Sequence, residues 1–251
     1  MGPRIAIPVP HSTDAAYAER ALPQYEEAVA VAGGEPVRIP VNQSSAAVLQ
    51  QIESCDAVLL PGSKADVDPK KYATERDPHT ADADRGRDDV DELLLRHAYE
   101  KRKPVLGICY GLQTLNVHRH GSLLQHITSP VNHEAGRAVS LAHDVLIEPG
   151  TRLAKILGLN SRTSVPVNSS HHQSADRIGD GLEASAYSSQ DGIVEAIEGT
   201  DPNHFVLAVQ WHPERSLNES GALGESARAI FRSFIEEARE KQSAATASRK
   251  T

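Results

Sequence analysis

Two stretches of this sequence hold residues that can do covalent chemistry together. The first is Val105-Leu106-Gly107-Ile108-Cys109-Tyr110-Gly111-Leu112-Gln113, an apolar run that ends in a cysteine with a glycine two residues to either side. The run reads as a buried strand, and the spacing of Leu112, Leu115 and Asn116 predicts the start of a helix. A strand, a tight turn and a helix in that order lift a nucleophile out of a parallel sheet, and small flanking residues let the turn close. The helix would point its N-terminus at the sulfur, which predicts a stabilised thiolate. The second stretch is Gln210-Trp211-His212-Pro213-Glu214. In extended backbone, positions two apart face the same side, so His212 and Glu214 converge. His212 is suited to take the thiol proton, and Glu214 to fix its tautomer and support the imidazolium charge. Read singly, a lone cysteine is more often inert packing and a His-x-Glu more often a surface pair. Together, each directly after a strand-like run, Cys109, His212 and Glu214 form a nucleophile, a base and a group that orients the base.

The elements around them are those of a wound α/β domain. Arg4 to Val9 reads as a first strand. Ala15 to Ala32 carries helical spacing with Pro23 as a kink or restart, and Gly33-Gly34 stops it. Pro36 to Pro40 is a short strand, Ser44 or Ser45 caps a helix to about Glu53, and Asp56 to Leu60 is a third strand. Continuous apolar runs of this kind suit a parallel sheet covered on both faces, and the βαβαβ order predicts a doubly wound α/β fold. Pro61 to Pro69 then leaves the carboxyl end of a strand, where open α/β sheets bind ligands. Residues 70–86 read as a polar loop, and Arg87 to Arg102 as a helix with Val90, Leu93, Leu94 and Ala98 inward. Another helix runs from the elbow to about His120. Past Gly121 come strand-like pieces at 122–127, 138–147, 182–187, 193–197 and 205–210, with a short helix at 151–157. Glu219 to Lys241 is a closing amphipathic helix. The expected organisation is a single domain over residues 1–241 and a polar tail, 242–251, that frays.

Composition narrows the function classes. The chain has 251 residues, 39% apolar and 24% charged, and a net charge of −8, which argues against general nucleic-acid or anionic-membrane binding. No apolar run is long enough to span a bilayer, and the first residues lack a signal peptide's apolar core. Two cysteines, Cys55 and Cys109, make no disulfide framework, so a reducing cytoplasm is expected, with Cys55 structural. Among the twelve histidines, His171-His172, His118 with His120, His133 and His143 are conceivable metal ligands. No short spacing matches a zinc pattern, and His118 and His120 would point about 200° apart on a helix. No metal and no cofactor are expected.

The motif Gly107-Ile108-Cys109-Tyr110-Gly111-Leu112-Gln113 with Gln210-Trp211-His212-Pro213-Glu214 closely resembles the class I glutamine amidotransferases, over about Arg4 to Ile235. Leu60-Pro61-Gly62-Ser63 with Asp66-Val67-Asp68-Pro69 resembles the glycine-rich loop of the gamma-glutamyl hydrolase branch. Asp84-Arg85-Gly86-Arg87-Asp88, Val167-Asn168-Ser169-Ser170-His171-His172-Gln173 and Asp191-Gly192-Ile193-Val194-Glu195-Ala196 resemble that branch too, and the nearest group is the gamma-glutamyl-gamma-aminobutyrate hydrolases of putrescine breakdown. There are departures. Ser63 stands where many relatives have a second glycine. Tyr110 replaces the branch's usual arginine, as in several glutaminase subunits. Arg119-His120-Gly121 replaces a Gly-Gly pair, so His120 needs a changed turn or a left-handed backbone. His126 stands where Asp is common.

The resemblance implies a single-domain, flavodoxin-like open α/β sheet, mostly parallel, with helices on both faces and extra short strands in the C-terminal half. It implies that Cys109 attacks the side-chain amide carbon of a gamma-glutamyl group, with a thioester intermediate and glutamate as product. The oxyanion donors would be the backbone N–H of Tyr110 and one from the glycine loop, Gly62 or Ser63. Gln113 either holds the glutamyl group or packs against that loop. Asn168, Ser169, Ser170 and His171 would line the substrate site, the alternative being side chains bonded to their own backbone. Asp88 and Glu92 are expected to form surface or loop-anchoring pairs, and Trp211 to be core or pocket wall. The expected partner is a small gamma-glutamyl substrate, with no nucleic acid and no membrane; relatives often form homodimers, although the sequence shows no isolated apolar patch. Two other readings are a glutaminase subunit passing ammonia to a separate synthase, and a non-catalytic ligand-binding relative.

Overall fold

The computed structural model describes residues 2–72 and 75–248. Residues 73–74 of the expected 70–86 loop and residues 249–251 of the expected tail lie outside the described residues. The elements in chain order are β1 (Arg4–Pro8), α1 (Ala15–Val31), β2 (Glu35–Ile39), α2 (Ser45–Glu53), β3 (Ala57–Leu60), α3 (Arg85–Lys101), β4 (Val105–Ile108) and α4 (Tyr110–His118). There follow β5 (Leu123–Leu124), β6 (His143–Ile147), α5 (Arg152–Ile156), β7 (Thr163–Val167), β8 (Ser174–Ala175), β9 (Leu182–Ser188), β10 (Val194–Gly199), β11 (Val206–Val209) and α6 (Gly221–Ser248). One sheet runs β2-β1-β3-β4-β11-β10-β9-β6-β7, and β5 pairs with β8 apart from it. The pairs among β2, β1, β3, β4 and β11 are parallel, and those from β11 through β10, β9 and β6 to β7 are antiparallel.

The parallel half is covered on both faces. Ile5, Ile7, Leu59, Leu106 and Ile108 pack with α1 and α6, while their alternate neighbours Ala6, Val58, Leu60 and Val105 pack with α2, α3 and α4. That is the period of two of a strand, and it is why these strands read as unbroken apolar runs. Local signals set the helix starts. Asp14, Ser44, Asp84 and Thr151 each accept a backbone N–H from the first turn of their helix, at 2.9, 3.3, 3.1 and 3.1 Å. Asp84 therefore starts α3 at Arg85, ahead of the expected Arg87.

The antiparallel half is less regular. β7 was not expected, because Ser164 and Pro166 dilute its apolar pattern; Pro166 is tolerated because β7 is an edge strand. The 122–127 and 138–147 strands shorten to Leu123–Leu124 and His143–Ile147. The closing helix continues to Ser248, past the expected end at Lys241, and Gln242 Nε2 donates to Asp56 Oδ2 at 3.1 Å and to Gly2 O at 3.3 Å. His120 takes the left-handed backbone, φ 66°. Gly121 keeps the tight approach that follows, since a Cβ there would meet Asn116 Nδ2 at 2.4 Å. Among the described residues, no helix is long and apolar enough to cross a membrane.

Candidate active site

β3, β4 and β11 are neighbours in the sheet, with Leu60 beside Gly107 and Ile108 beside Val209. Their carboxyl ends therefore deliver Gly62, Cys109 and His212 to one place. Cys109 sits between β4 and α4 with φ 55° and ψ −106°, a strained backbone that costs about 1–3 kcal/mol outside glycine. The flanking glycines permit it. A Cβ on Gly111 would lie 2.2 Å from Leu60 O, and one on Gly107 would lie 2.7 Å from Gly111 O. Gly62 lies between base and nucleophile: a Cβ there would meet His212 Cε1 at 3.0 Å, Tyr25 Oη at 3.1 Å and Cys109 Cβ at 3.6 Å.

His212 Nδ1 lies 2.8 Å from Glu214 Oε1, with both side chains buried. The backbone of His212 is clamped from both sides by Asn168. Its N–H donates to Asn168 Oδ1 at 2.9 Å, and its carbonyl accepts from Asn168 Nδ2 at 2.8 Å. Burial pushes the His212 imidazole below its usual range, with the Glu214 charge pulling the other way. Burial opposes ionisation of Glu214 too, but His212 and their hydrogen bond outweigh it and hold the carboxyl below its ordinary value. The Cys109 thiol is pushed up to about 12 by burial, against the pull of Arg215 and the Tyr110 N–H. Desolvation therefore works against the expected thiolate, opposing the helix N-terminus. Both shifts favour the neutral thiol and the neutral imidazole.

Other side chains fix the frame. Arg87 is buried and donates to Asp91 Oδ1, Pro10 O and Pro61 O at 2.7, 3.1 and 2.8 Å, which holds the start of the glycine loop. The Tyr110 hydroxyl donates to Asp88, whose other oxygen is 2.9 Å from Lys71 Nζ, so Asp88 is a buried anchor for Tyr110 and not a surface group. Glu92 pairs with His118 at 2.9 Å. The Gly62 N–H donates to Tyr25 Oη at 3.1 Å, whereas Ser63 N–H has no partner among the described residues and Ser63 lines the cavity.

That cavity measures about 300 Å³ and has Cys109, Gln113 and His212 in its wall. Of the expected substrate residues, Gln113, Ser170 and His171 line it, and Asn168 and Ser169 do not. Asn168 serves His212, and Ser169 Oγ donates to His133 O at 2.6 Å; both bond backbone instead of facing the cavity. Gln113 Nε2 donates to Gln173 O at 3.1 Å, away from the glycine loop. The sequence reading assigned no role to the charged residues of the wall, Arg20, Lys64, Arg137 and Arg215 with Asp66 and Glu134. Asp66, in the quoted loop motif, and Arg215, next to Glu214, carried positional hints.

The sequence pattern of the peptidase C26 family matches residues 7–214. The chain belongs to the peptidase C26 family. This C26 chain is 34% identical over 224 residues to the Escherichia coli gamma-glutamyl-gamma-aminobutyrate hydrolase PuuD, covering 84% of each chain. It is 40% identical over 201 residues to Rv2859c, a candidate glutamine amidotransferase of Mycobacterium tuberculosis, covering 78% of this chain but only 62% of that one. Among solved structures it superposes on a candidate GMP synthase subunit from Thermoplasma acidophilum with a TM-score of 0.67 at 16% identity, over 98% of both chains. A second match is PurLQS from Thermotoga maritima, TM-score 0.60 at 18% identity, over 94% of this chain and 99% of that one. These likenesses place the fold as a class I glutamine amidotransferase-like α/β domain.

Proposed function

We propose that this C26 protein hydrolyses the gamma-glutamyl amide bond of a gamma-glutamyl amine, gamma-glutamyl-gamma-aminobutyrate being the best candidate. The observation that carries the reading is the juxtaposition of Cys109, on its strained elbow, with a His212 oriented by Glu214 at 2.8 Å in one cavity. As substrate enters, Cys109 Sγ bonds to the amide carbon and its proton passes to His212 Nε2. The imidazolium, supported by Glu214, gives that proton to the leaving amine as the C–N bond breaks. A water, deprotonated by His212, then adds to the thioester, glutamate leaves and the thiol regains its proton. The N–H groups of Tyr110 and Ser63 receive the oxyanion, Ser63 being preferred because the Gly62 N–H is engaged by Tyr25.

The charged wall supports a substrate with more than one carboxylate. Guanidinium groups suit carboxylate recognition, and Arg20, Arg137 and Arg215 in the wall exceed what the single carboxylate of glutamine requires, Lys64 being paired with Asp14 at 2.8 Å. Gamma-glutamyl-gamma-aminobutyrate carries two. Glu134 stands available for the substrate's ammonium group, whereas Asp66 is engaged by His172 Nε2 at 3.0 Å and by the Ala81 N–H at 2.7 Å. A second reading, glutaminase subunit of an amidotransferase, is favoured by the 40% identity to the mycobacterial candidate amidotransferase.

Glutamate release separates the two. Purified protein is assayed with gamma-glutamyl-gamma-aminobutyrate, other gamma-glutamyl amines and glutamine, with Cys109→Ala as control. Turnover of a gamma-glutamyl amine well above glutamine, lost in the variant, is the expected result. Glutamine turnover that rises only on adding a synthase partner would replace the first reading with the second. Failure of Cys109 to react with an electrophilic glutamine analogue would replace both with a non-catalytic binding role.

A further inference from the structure

Away from Cys109, four polar side chains from separate segments meet at one buried point. Glu195 on β10 is fully buried. Its Oε1 lies 2.9 Å from His143 Nε2 on β6, 3.2 Å from His133 Nδ1 in the segment before β6, and 3.5 Å from His171 Nε2 after β7. His133, His143 and Glu195 each offer a ligand atom within 4.8 Å of the other two. No short sequence spacing announces the group: His143 and Glu195, for example, are 52 residues apart.

Donor accounting favours a cation over a hydrogen-bonded cluster. A neutral imidazole has one N–H and one lone pair. His133 Nε2 faces Asp191 Oδ2 at 2.9 Å, and His171 Nδ1 faces Gln173 O at 3.0 Å. Both partners are acceptors, so these nitrogens carry the protons. That leaves His133 Nδ1 and His171 Nε2 as lone pairs, and both point at Glu195 Oε1, which is also an acceptor. Without a cation, both rings would need both protons in a buried site, one oxygen would take three donors, and Glu195 Oε2 would have none. Glu195 Oε2, His133 Nδ1 and His171 Nε2 are indeed all without a hydrogen-bond partner among the described residues. With a cation, every ring is neutral, and the far nitrogens of His133 and His171 make the carboxylate and carbonyl bonds that metal-bound histidines make, while His143 Nδ1 has no partner among the described residues. The carboxylate-to-imidazole spacing agrees: donors about 2.0–2.1 Å from a tetrahedral zinc sit about 3.3 Å apart, against 2.9–3.5 Å from Glu195 Oε1 to the three rings here.

We propose that His133, His143 and Glu195, with His171 as the fourth ligand, bind one divalent transition-metal ion of the zinc type. Imidazole with a single carboxylate suits that class. The ion's place is structural. It ties β6 and β10 to the two segments that line the substrate cavity, one carrying Glu134 and Arg137, the other Ser170 and His171. The backbone already links those segments through His171 N to His133 O at 3.0 Å and Gly136 N to Ser169 O at 3.0 Å.

The test uses the full chain purified without a metal-affinity step. Elemental analysis, then zinc titration of chelator-stripped protein against a chromophoric chelator, should give about one equivalent per chain, as a single closed site requires. Cobalt(II) added to stripped wild-type protein should give the intense visible bands of four- or five-coordinate geometry, abolished by zinc. His143→Gln and His133→Gln should weaken zinc binding at least about tenfold, while His118→Gln should not. If the variants do not fold, the wild-type cobalt spectrum still decides. A cobalt spectrum no different from the hydrated ion, or zinc bound equally well by both cluster variants, would overturn the proposal and leave a metal-free imidazole–carboxylate cluster.

Discussion

Glu214 and Glu195 are both buried carboxylates among histidines, but their surroundings differ in stoichiometry. Glu214 meets one ring, His212, whose other nitrogen is left for a reactant. Glu195 meets three rings, and two of those have their protons committed elsewhere. One-to-one pairing orients a ring and fixes its tautomer, which is what a general base requires. Three-to-one convergence leaves lone pairs facing an acceptor, which is what a cation requires. The first centre also reaches a cavity through Cys109, whereas of the second only His171 lines that cavity. On the two proposals, the same residue types serve as a proton carrier in one place and a metal holder in another, and each variant below tests whether the two are independent.

The largest effect is expected at the nucleophile. Cys109→Ala should lower kcat/KM for a gamma-glutamyl amine by at least about 10³-fold, the scale seen when a covalent nucleophile is removed. Zinc content should stay at the wild-type value. Loss of the metal with the thiol would show that the centres are one, and would break the comparison. Glu214→Gln follows, with kcat down about 10²–10⁴-fold because the imidazole loses its orienting charge. The pH profile gives the sign. The active form is neutral His212, whose pKa is lowered by burial, so kcat/KM should hold to lower pH than an imidazole of about 6.5 allows. In Glu214→Gln that acid limb should move lower still, since the Glu214 charge is what raises His212. With the thiol at about 12, iodoacetamide should alkylate Cys109 slowly at neutral pH. Fast alkylation would mean an ion pair at rest.

The convergence of the proposed catalytic residues was legible in the sequence and that of the other cluster was not, for a physical reason. Cys109 follows its strand directly, and His212 and Glu214 are two residues apart, so local backbone geometry alone predicts their convergence. The parallel half was legible too, because strands buried on both faces are unbroken apolar runs. His133, His143, His171 and Glu195 meet only through antiparallel pairing of β6, β9 and β10, which no local pattern encodes. The opposing pull on the Cys109 thiol was hidden for a related reason. A helix N-terminus is visible in a sequence, but the desolvation that opposes it is set by the packing of α1, the glycine loop and β11. Asn168 likewise reads as a substrate-facing polar residue until the fold places it against the His212 backbone.

Each centre also has an outer support, and these give the smaller effects. Asn168→Ala removes both hydrogen bonds that clamp His212 and leaves its buried N–H and carbonyl unpaired. At about 1–3 kcal/mol for an unpaired buried group, kcat should fall about tenfold or more, with zinc binding unchanged. Partial recovery in Asn168→Asp would show positioning, because the carboxylate can still accept from the His212 N–H but cannot donate to its carbonyl.

The subtlest case is Asp191, the support of the second centre. It accepts from His133 Nε2 at 2.9 Å and also from Ser129 Oγ, so it both fixes the His133 tautomer and fastens the segment before β6. Asp191→Asn keeps an acceptor of the same shape and removes the charge. Outer-shell changes of this kind cost about 10–100-fold in metal affinity, and retained geometry places this one at the low end. Competition titration should therefore show zinc held about tenfold more weakly. Because that segment carries Arg137 into the cavity wall, KM should rise modestly, while the thioester chemistry at Cys109 and His212 lies outside the change. A fall in kcat as large as that of Asn168→Ala, with zinc affinity unmoved, would assign Asp191 to the catalytic side and erase the distinction between the two carboxylates.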